Sequence, residues 1–353
     1  MTFSLRKLLL AASLTLLAPL AAHATLQTLN QLFVFGDSLS DGGNYADPIN
    51  PGGFPPYPYA GTRYSNGLTA VEYLWQAYHP GDTTFKPSNF GGTNYALGGS
   101  TTGKFNFNSV NPNVSKASPL LLPWFADQGG VANQVASFAS ICSNCFVPDE
   151  SLFVVWAFPN DVFSSAVLGL DAGALITAGV TNIKSTVQTL IDEGATNFLI
   201  PNMPDLGSTP GFLGRTDLTG LSMAFNAALA GALTGLDQAM KAVEITQFDT
   251  FATLNTIIAN KEQYGFTNVT EQCVDNLTNG RCNPNTWLFW DGVHPTTAGH
   301  AILGAQFAAA VPEPSALWLM ALALVLLAAS RQTRQRLLRR SLITVSAPLL
   351  AAT

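Results

Sequence analysis

The chain has 353 residues, of which 47% are hydrophobic and 11% are charged. Intrinsic disorder needs low hydrophobicity and high charge, so this composition excludes disorder for the bulk of the chain. The net charge is −6, and the segment 25–311 carries nine Lys and Arg against 21 Asp and Glu, a net charge of −12. This acidity disfavours binding to nucleic acid or to an anionic membrane surface.

The first 24 residues have the three parts of a secretory signal peptide. A basic pair, Arg6-Lys7, precedes the apolar run Leu8–Ala21, and Ala22-His23-Ala24 fits the small-x-small cleavage pattern. We therefore predict a signal peptide over residues 1–24, with Thr25 as the mature start. A membrane anchor is the alternative, but the run is short for a span of about 20 residues.

The following segment, 25–311, has enough residues to bury roughly 75% of its unfolded surface as one domain. Short apolar runs alternate with helical patterns, which favours right-handed crossovers and a parallel sheet covered on both faces. We predict a single-domain, three-layer α/β/α fold with a mainly parallel central sheet of about five strands and an active site at their carboxyl ends. The predicted strands are Gln31–Phe35, Thr93–Leu97, Leu152–Ala157, Asn197–Ile200 and Val243–Phe248, and the predicted helices are Leu68–Tyr78, Val131–Ala139, Ala172–Asp192, Thr219–Lys241 and Pro295–Ala309.

Four cysteines form two close pairs in the sequence, Cys142 with Cys145 and Cys273 with Cys282. In an exported chain an even number of cysteines predicts disulfides, and the second bridge would contribute roughly 2–3 kcal/mol through its ten-residue loop. One zinc site built from both pairs is the alternative, which this spacing supports poorly. A thioredoxin-like redox role for the C-x-x-C motif is weaker still, because no signal of that fold surrounds it.

A serine, Ser38, follows the first predicted strand in the stretch FGDSLSDGGN, residues 35–44. Taken alone, this pattern favours a helix-capping serine. A nucleophilic serine needs a base, and histidine is the usual one. Near the other end of the domain His294 follows Asp291 by three residues, so the carboxylate can orient the imidazole from the same loop. We expect His79 to be a loop residue and His300 to be a surface or packing residue.

Four sequence blocks in this order make the chain similar to GDSL-type esterases and lipases of the SGNH hydrolase superfamily. They are FGDSLSDGGN at 35–44, NYALGGSTT at 94–102, WAFPND at 156–161 and DGVHP at 291–295, and the resemblance covers essentially all of 31–310. It implies a nucleophile at Ser38, a general base at His294 and an orienting acid at Asp291. It also implies an oxyanion hole made by the backbone N–H groups of Ser38 and Gly99 and the side-chain amide of Asn160.

One position departs from the family pattern. Two residues before Asn160 the family usually has glycine, and this chain has Phe158. We expect glycine there to relax the backbone near the substrate, and the phenylalanine to reshape the loop or to narrow the pocket. Within the first block, Asp37, Asp41 and Asn44 are expected to brace the nucleophile loop rather than to react.

The resemblance implies a secreted serine hydrolase that cleaves carboxylic esters through an acyl-enzyme, with no cofactor and no metal. Two other functions stay open: an acyltransferase that passes the same acyl group to an alcohol, and a non-catalytic binding protein of the cell envelope. The intact Ser38, Asp291 and His294 argue against the second. Expected partners are small-molecule or lipid esters, including acetylated glycans. The runs Phe54–Tyr59 and Pro119–Phe125 are candidate contacts for an acyl chain or a sugar.

After the domain, a Pro-Glu-Pro motif at 312–314 precedes the apolar stretch Ala316–Ala329 and a cluster of five arginines at 331–340. This order resembles the PEP-CTERM sorting signal of Gram-negative bacteria, which a membrane-bound exosortase processes. It implies export to the cell envelope or the exterior, with transient or lasting association of the apolar helix with the inner membrane. We place the signal at 312–340 and a C-terminal tail at 341–353. Such signals usually stop at the arginine cluster, whereas this chain continues through the tail. A plain membrane anchor is therefore the alternative to a processed sorting signal.

Overall fold

The computed structural model describes residues 28–44, 55, 58–111, 127–311 and 327. Four parallel strands lie side by side in chain order. Gln31 pairs with Ser151, Phe153 with Phe198, and Asn197 with Glu244, so the strands share one direction and end at one edge of the sheet. The predicted parallel sheet is confirmed. The strands are β1 (Gln31–Gly36), β2 (Ser151–Trp156), β3 (Asn197–Pro201) and β4 (Glu244–Phe248).

The prediction of a strand at Thr93–Leu97 is wrong. The segment runs beside β1, where the N–H of Val34 donates to Thr93 and the N–H of Tyr95 donates back to Val34 at 2.7 Å. It forms only isolated bridges, because the N–H of Gly36, which regular pairing would direct to Tyr95, donates to the side chain of Gln134 at 2.9 Å. The segment therefore occupies the fifth position of the sheet without its regular structure.

Eight helices lie in the described part of the chain, and five of them match predicted helices to within three residues at each end. The long helix Ala172–Asp192 matches at both ends, and its N-terminus is capped by Asp171, whose side chain accepts the N–H of Ala174. The other three were not predicted. The helices are α1 (Ala70–Tyr78), α2 (Val131–Ile141), α3 (Pro159–Phe163), α4 (Ser165–Leu168), α5 (Ala172–Asp192), α6 (Thr216–Ala239), α7 (Thr250–Ala259) and α8 (Thr297–Ala310).

Helices cover both faces of the sheet, as the three-layer prediction requires. Successive strand residues point to opposite faces, so Phe33 and Phe35 join the core formed with α2, α5 and α6, whereas Leu32 and Val34 join the core formed with α1 and α8. Because both faces are buried, β2 is apolar and buried along its whole length. The end of this three-layer arrangement that the helices leave open is the edge of the sheet at which the strands end.

Both cysteine pairs form disulfides, Cys142–Cys145 and Cys273–Cys282. Their sulfur atoms are therefore bonded to each other rather than available to zinc. The first bridge follows the end of α2, and the second closes a loop shortly before the DGVHP block.

Among the described residues, one helix, α6, is long and apolar enough to cross a membrane by length and composition. Its Phe225, Leu229 and Leu233 are buried against the sheet, so it is a core helix of the domain. The predicted signal peptide lies outside the described residues, as do the sorting segment, apart from residue 327, and the tail.

Candidate active site

Ser38 lies in a tight turn at the carboxyl end of β1. Gly36 ends the strand at a point where a Cβ atom would overlap the carbonyl oxygen of Trp156 on β2, so only glycine fits. The chain then turns, and the N–H of Asp41 donates to the carbonyl of Asp37 at 3.0 Å. This turn leaves Ser38 8% exposed on the wall of a pocket of about 140 Å³.

The structure brings His294 and Asp291 to this serine. The Oγ atom of Ser38 lies 2.7 Å from Nε2 of His294, and Nδ1 of His294 lies 2.8 Å from both carboxylate oxygens of Asp291. The side chains of His294 and Asp291 are 13% and 14% exposed, so water reaches them only in part. The three predicted catalytic residues therefore form one chain of hydrogen bonds.

The loop around Asp291 holds its carboxylate as an ion. Its Oδ1 atom accepts the backbone N–H groups of Val293 at 3.0 Å and of His294 at 2.9 Å. Burial alone would raise the pKa of Asp291, but the neighbouring His294 and these hydrogen bonds outweigh it and lower the pKa below the ordinary value. A negative charge is thus available beside the imidazole.

Tyr59 ends a run that the sequence offers as a substrate contact, and its place beside Asp291 was not predicted. Its hydroxyl donates to Oδ2 of Asp291 at 2.8 Å, and its ring packs edge-on against Trp290. Burial, and then the charge of Asp291, raise the pKa of Tyr59 above its ordinary value, so the hydroxyl stays protonated and remains a donor. The two residues are 232 positions apart, and no motif links them.

Gly99 and Asn160 line the same pocket as Ser38 and His294. Gly99 has a φ of +80°, and a Cβ atom there would overlap the side chains of Asn106 and Asn108, so this position requires glycine. Within the described residues the N–H groups of Ser38 and Gly99 meet no acceptor, and the Asn160 amide donates to the carbonyl of Ser100 at 3.2 Å. That amide carries a second hydrogen.

The profile of GDSL-like lipases and acylhydrolases matches residues 32–307. The chain belongs to this family. GDSL esterase/lipase LIP-4 of Arabidopsis thaliana is 26% identical over 321 residues, which are 78% of this chain and 84% of that protein. The thermolabile hemolysin of Vibrio parahaemolyticus is 25% identical over 304 residues, which are 77% of this chain and 61% of that protein. The Axe2 acetylxylan esterase of Geobacillus stearothermophilus has 13% identity and a TM-score of 0.42, with 82% of this chain and 97% of that chain covered.

Membership in the GDSL family identifies the chain as a serine hydrolase that acts on ester bonds. A second profile, the PEP-CTERM protein-sorting motif, matches residues 310–334. This confirms the predicted sorting motif at the C-terminus, which points to export in a Gram-negative bacterium.

The backbone at Phe158 has the conformation that the expected glycine would adopt. The residue has a φ of +136° and a ψ of −28°, a conformation that favours glycine. Its ring does not enter the pocket. It is fully buried on the core side, stacked on Phe225 at 3.6 Å between ring centroids, and fits over Gly179, which has no side chain. The expectation that this ring narrows the pocket is therefore wrong.

Two buried polar side chains that the sequence analysis did not single out tie the loops of the pocket together. Gln134 on α2 accepts the N–H of Gly36 at 2.9 Å and donates both to the carbonyl of Gly36 and to the hydroxyl of Ser100. Asp161 accepts the N–H of Thr102 at 2.8 Å and the hydroxyl of the same residue. The end of β1, the Gly99 loop and α3 are thus connected.

Three buried aspartates lie in these loops. Burial raises the pKa values of Asp37 and Asp161 to about 7 and that of Asp41 to about 6. Asp41 accepts the N–H groups of Asn44 and Gly98 at 2.7 and 2.8 Å, which agrees with the predicted bracing role.

Among the described residues, no group of three or more His, Cys, Asp or Glu side chains is placed to hold a metal ion.

The two remaining histidines of the domain are structural. His79 lies just after α1, as a loop residue, with its ring against Trp75. His300 is 1% exposed and accepts the N–H of Ala70 at 3.2 Å, at the start of α1. Burial, followed by the charge of His294, lowers the pKa of His300 to about 3, so this imidazole is a neutral packing residue.

Proposed function

We propose that the protein hydrolyses carboxylic esters by attack of Ser38, with His294 as the general base and Asp291 as the residue that holds the imidazole. The observation that carries this proposal is the pair of contacts at His294, 2.7 Å to Ser38 and 2.8 Å to Asp291. The ionised Asp291 favours the tautomer that leaves Nε2 free to accept the serine proton, and it stabilises the imidazolium that forms. The same histidine then gives this proton to the leaving alcohol.

The oxyanion that develops on the ester carbonyl is proposed to bind the N–H groups of Ser38 and Gly99 and the side-chain amide of Asn160. Support comes from their presence in the lining of one pocket and from the lack of an acceptor for the two backbone groups among the described residues. Such donors act without reorganisation at the moment of reaction. Water then attacks the acyl-enzyme with His294 as the base, the bond to the Ser38 oxygen breaks, and the carboxylic acid and free Ser38 result.

The test compares Ser38→Ala with Ser40→Ala. We expect Ser38→Ala to lower kcat by about 10⁶ and to abolish labelling by a fluorophosphonate, because the triad acts as a unit. Ser40 is buried in the same turn, and its hydroxyl has no hydrogen-bond partner among the described residues, so Ser40→Ala is the matched control with near-normal kcat. Turnover of Ser38→Ala at the wild-type rate refutes the assignment.

The acyltransferase alternative uses the same acyl-enzyme and differs only in the acceptor. Adding a primary alcohol to the assay distinguishes the two, because a transferase forms the new ester in place of the free acid. We expect free acid as the main product in water. A protein that labels with fluorophosphonate yet yields mostly the new ester at millimolar alcohol is a transferase.

For the termini we propose a signal peptide over 1–24, a hydrolase domain over 25–311, a sorting signal over 312–340 and a tail over 341–353. The sorting motif supports recognition by an exosortase-like enzyme and passage through the inner membrane to the cell envelope or the exterior. Intact mass of the mature protein tests this. We expect a chain that begins near Thr25 and lacks the residues after about Pro314, and a mature form that still ends at Thr353 favours a plain anchor.

A further inference from the structure

Tyr59 lies on a separate loop that is fastened to the segment carrying His294. The N–H of Ala60 donates to the carbonyl of Ser65 at 2.9 Å, and the buried hydroxyl of Ser65 donates to the carbonyl of Pro295 at 2.9 Å. Pro295 directly follows His294 in the chain. The loop of the tyrosine and the loop of the imidazole are therefore held side by side.

An aromatic cluster holds the ring of Tyr59. The ring packs edge-on against Trp290 at 5.9 Å between centroids and against Tyr64 at 6.5 Å. It also packs against the buried cluster that Trp290 forms with Trp287 and the disulfide-bonded Cys273. These edge-to-face contacts restrict the ring, so its hydroxyl points in a fixed direction.

The two carboxylate oxygens of Asp291 differ in their support. Oδ1 accepts two N–H groups of its own loop, at 2.9 and 3.0 Å. Besides Nδ1 of His294, Oδ2 accepts one further donor among the described residues, the hydroxyl of Tyr59 at 2.8 Å. Because Nδ1 faces both oxygens at 2.8 Å, a rotation of the carboxylate would lengthen one of these two contacts. The hydroxyl opposes that rotation with a charge-assisted hydrogen bond, which is stronger than one between neutral groups.

Resting on the proposed function, we propose that Tyr59 is a positioning residue for ester hydrolysis: its hydroxyl holds the carboxylate of Asp291 in the orientation that lets His294 accept and return the serine proton. The sequence offers the run Phe54–Tyr59 as a contact for an acyl chain or a sugar. Tyr59 is not among the described residues that line the pocket at Ser38, so it acts through Asp291 rather than on the substrate.

Tyr59→Phe removes the hydroxyl and keeps the ring. We expect kcat to fall about tenfold while KM stays within about twofold, because acylation and deacylation both use His294 and the pocket keeps its lining. Labelling by a fluorophosphonate should slow by a similar factor. An unchanged kcat in the folded variant would overturn the proposal. A raised KM with a normal kcat would overturn it as well, since Tyr59 would then be a substrate contact.

Tyr78→Phe is the matched control. Tyr78 ends α1, and its hydroxyl donates to the carbonyl of Ala308 on α8 at 3.4 Å. It is not among the described residues that line the pocket, so we expect its kcat to stay within about twofold of the wild-type value. Thermal unfolding followed by circular dichroism verifies that both variants fold. An equal loss of kcat in both would show a general effect of hydroxyl removal and would contradict a specific role for Tyr59.

A double-variant cycle tests whether the hydroxyl acts through Asp291. In an Asp291→Ala background we expect Tyr59→Phe to lower kcat by less than about twofold more, because the group that it positions is gone. A further tenfold loss in that background would mean that Tyr59 acts independently of the carboxylate, against the proposal.

The Nδ1 proton of His294, observed by NMR, gives a second readout that a purely structural role of Tyr59 would not move. Its resonance should shift in Tyr59→Phe, because the carboxylate that accepts this proton changes its orientation or charge distribution, and it should not shift in Tyr78→Phe. A resonance at the wild-type position in both variants would refute the positioning role.

Failure of this proposal is distinguishable from failure of the proposed function. Loss of turnover in Ser38→Ala, together with a wild-type rate in Tyr59→Phe, leaves the attack by Ser38 standing and removes the role of Tyr59. Turnover of Ser38→Ala at the wild-type rate removes the proposed function, and the role of Tyr59 with it.

Discussion

Exchange of Phe158 for glycine sets two measurable effects against each other. The residue holds a backbone conformation that suits glycine, while its ring fills a buried site between Phe225 and Gly179. Such a strained conformation costs of order 1–3 kcal/mol. Loss of a buried phenylalanine ring typically costs about 3–5 kcal/mol, and the flexible unfolded state of glycine adds about 0.5–1 kcal/mol. The ring outweighs the strain, so we expect Phe158→Gly to lower the free energy of unfolding by about 3 kcal/mol.

Phe158→Ala separates the two effects, because it removes the ring and keeps the strain. We expect the glycine variant to be more stable than the alanine variant by about 1 kcal/mol, the reverse of the usual order in a helix or strand. Urea unfolding of the three proteins, followed by circular dichroism, measures both differences. An alanine variant as stable as the glycine variant would refute the strain at this position.

The same variants test whether the ring influences the pocket. Since the Phe158 ring lies in the core and does not line the pocket, we expect kcat/KM on a small aryl ester to change by less than about threefold in the folded glycine variant. A larger loss without loss of structure would mean that the ring holds Asn160 in position, two residues along the chain.

Three further outcomes follow from the site. Asn160→Ala should lower kcat by about 10²–10³ with little change in KM, because it removes one oxyanion donor, and a normal kcat with chemistry rate-limiting would remove Asn160 from the site. Burial raises the pKa of Asp37 from 3.8 to about 7, so the folded state retains a proton that the unfolded state releases, and the associated stability is lost as pH rises through about 7. Relative to Asp37→Asn, which cannot ionise, the wild type should lose at least about 1 kcal/mol of unfolding free energy between pH 5 and pH 8 in urea titrations, and parallel pH curves would contradict this. Replacing Cys273 and Cys282 by serine should cost roughly 2–3 kcal/mol in the same assay under oxidising conditions, whereas an unchanged midpoint would show that the bridge is absent in solution.

Sequence patterns predicted most of the regular elements because the signals are local. The periodicity of α5 and its capping Asp171 lie within one stretch, and both ends were correct. The five-residue α3 was missed because so short a helix depends on tertiary packing rather than on propensity. Helix α7 was also missed, although the sequence contains a signal for its start. Asp249 is an N-terminal cap, and its side chain accepts the N–H of Ala252.

The sequence by itself predicted the residues that short motifs carry: the Ser38 turn, the Asp291–His294 pair, Gly99, Asn160 and the sorting motif. Each of these motifs depends on neighbours within a few residues, so a linear pattern reveals it. The tertiary structure brings Ser38 to His294 across 256 positions, a contact that the family resemblance implied, and it alone decided that Tyr59 meets Asp291. It also decided that the Phe158 ring turns into the core. These outcomes depend on how the layers pack around the sheet. Contacts between residues far apart in the chain give no signal within any single stretch of sequence.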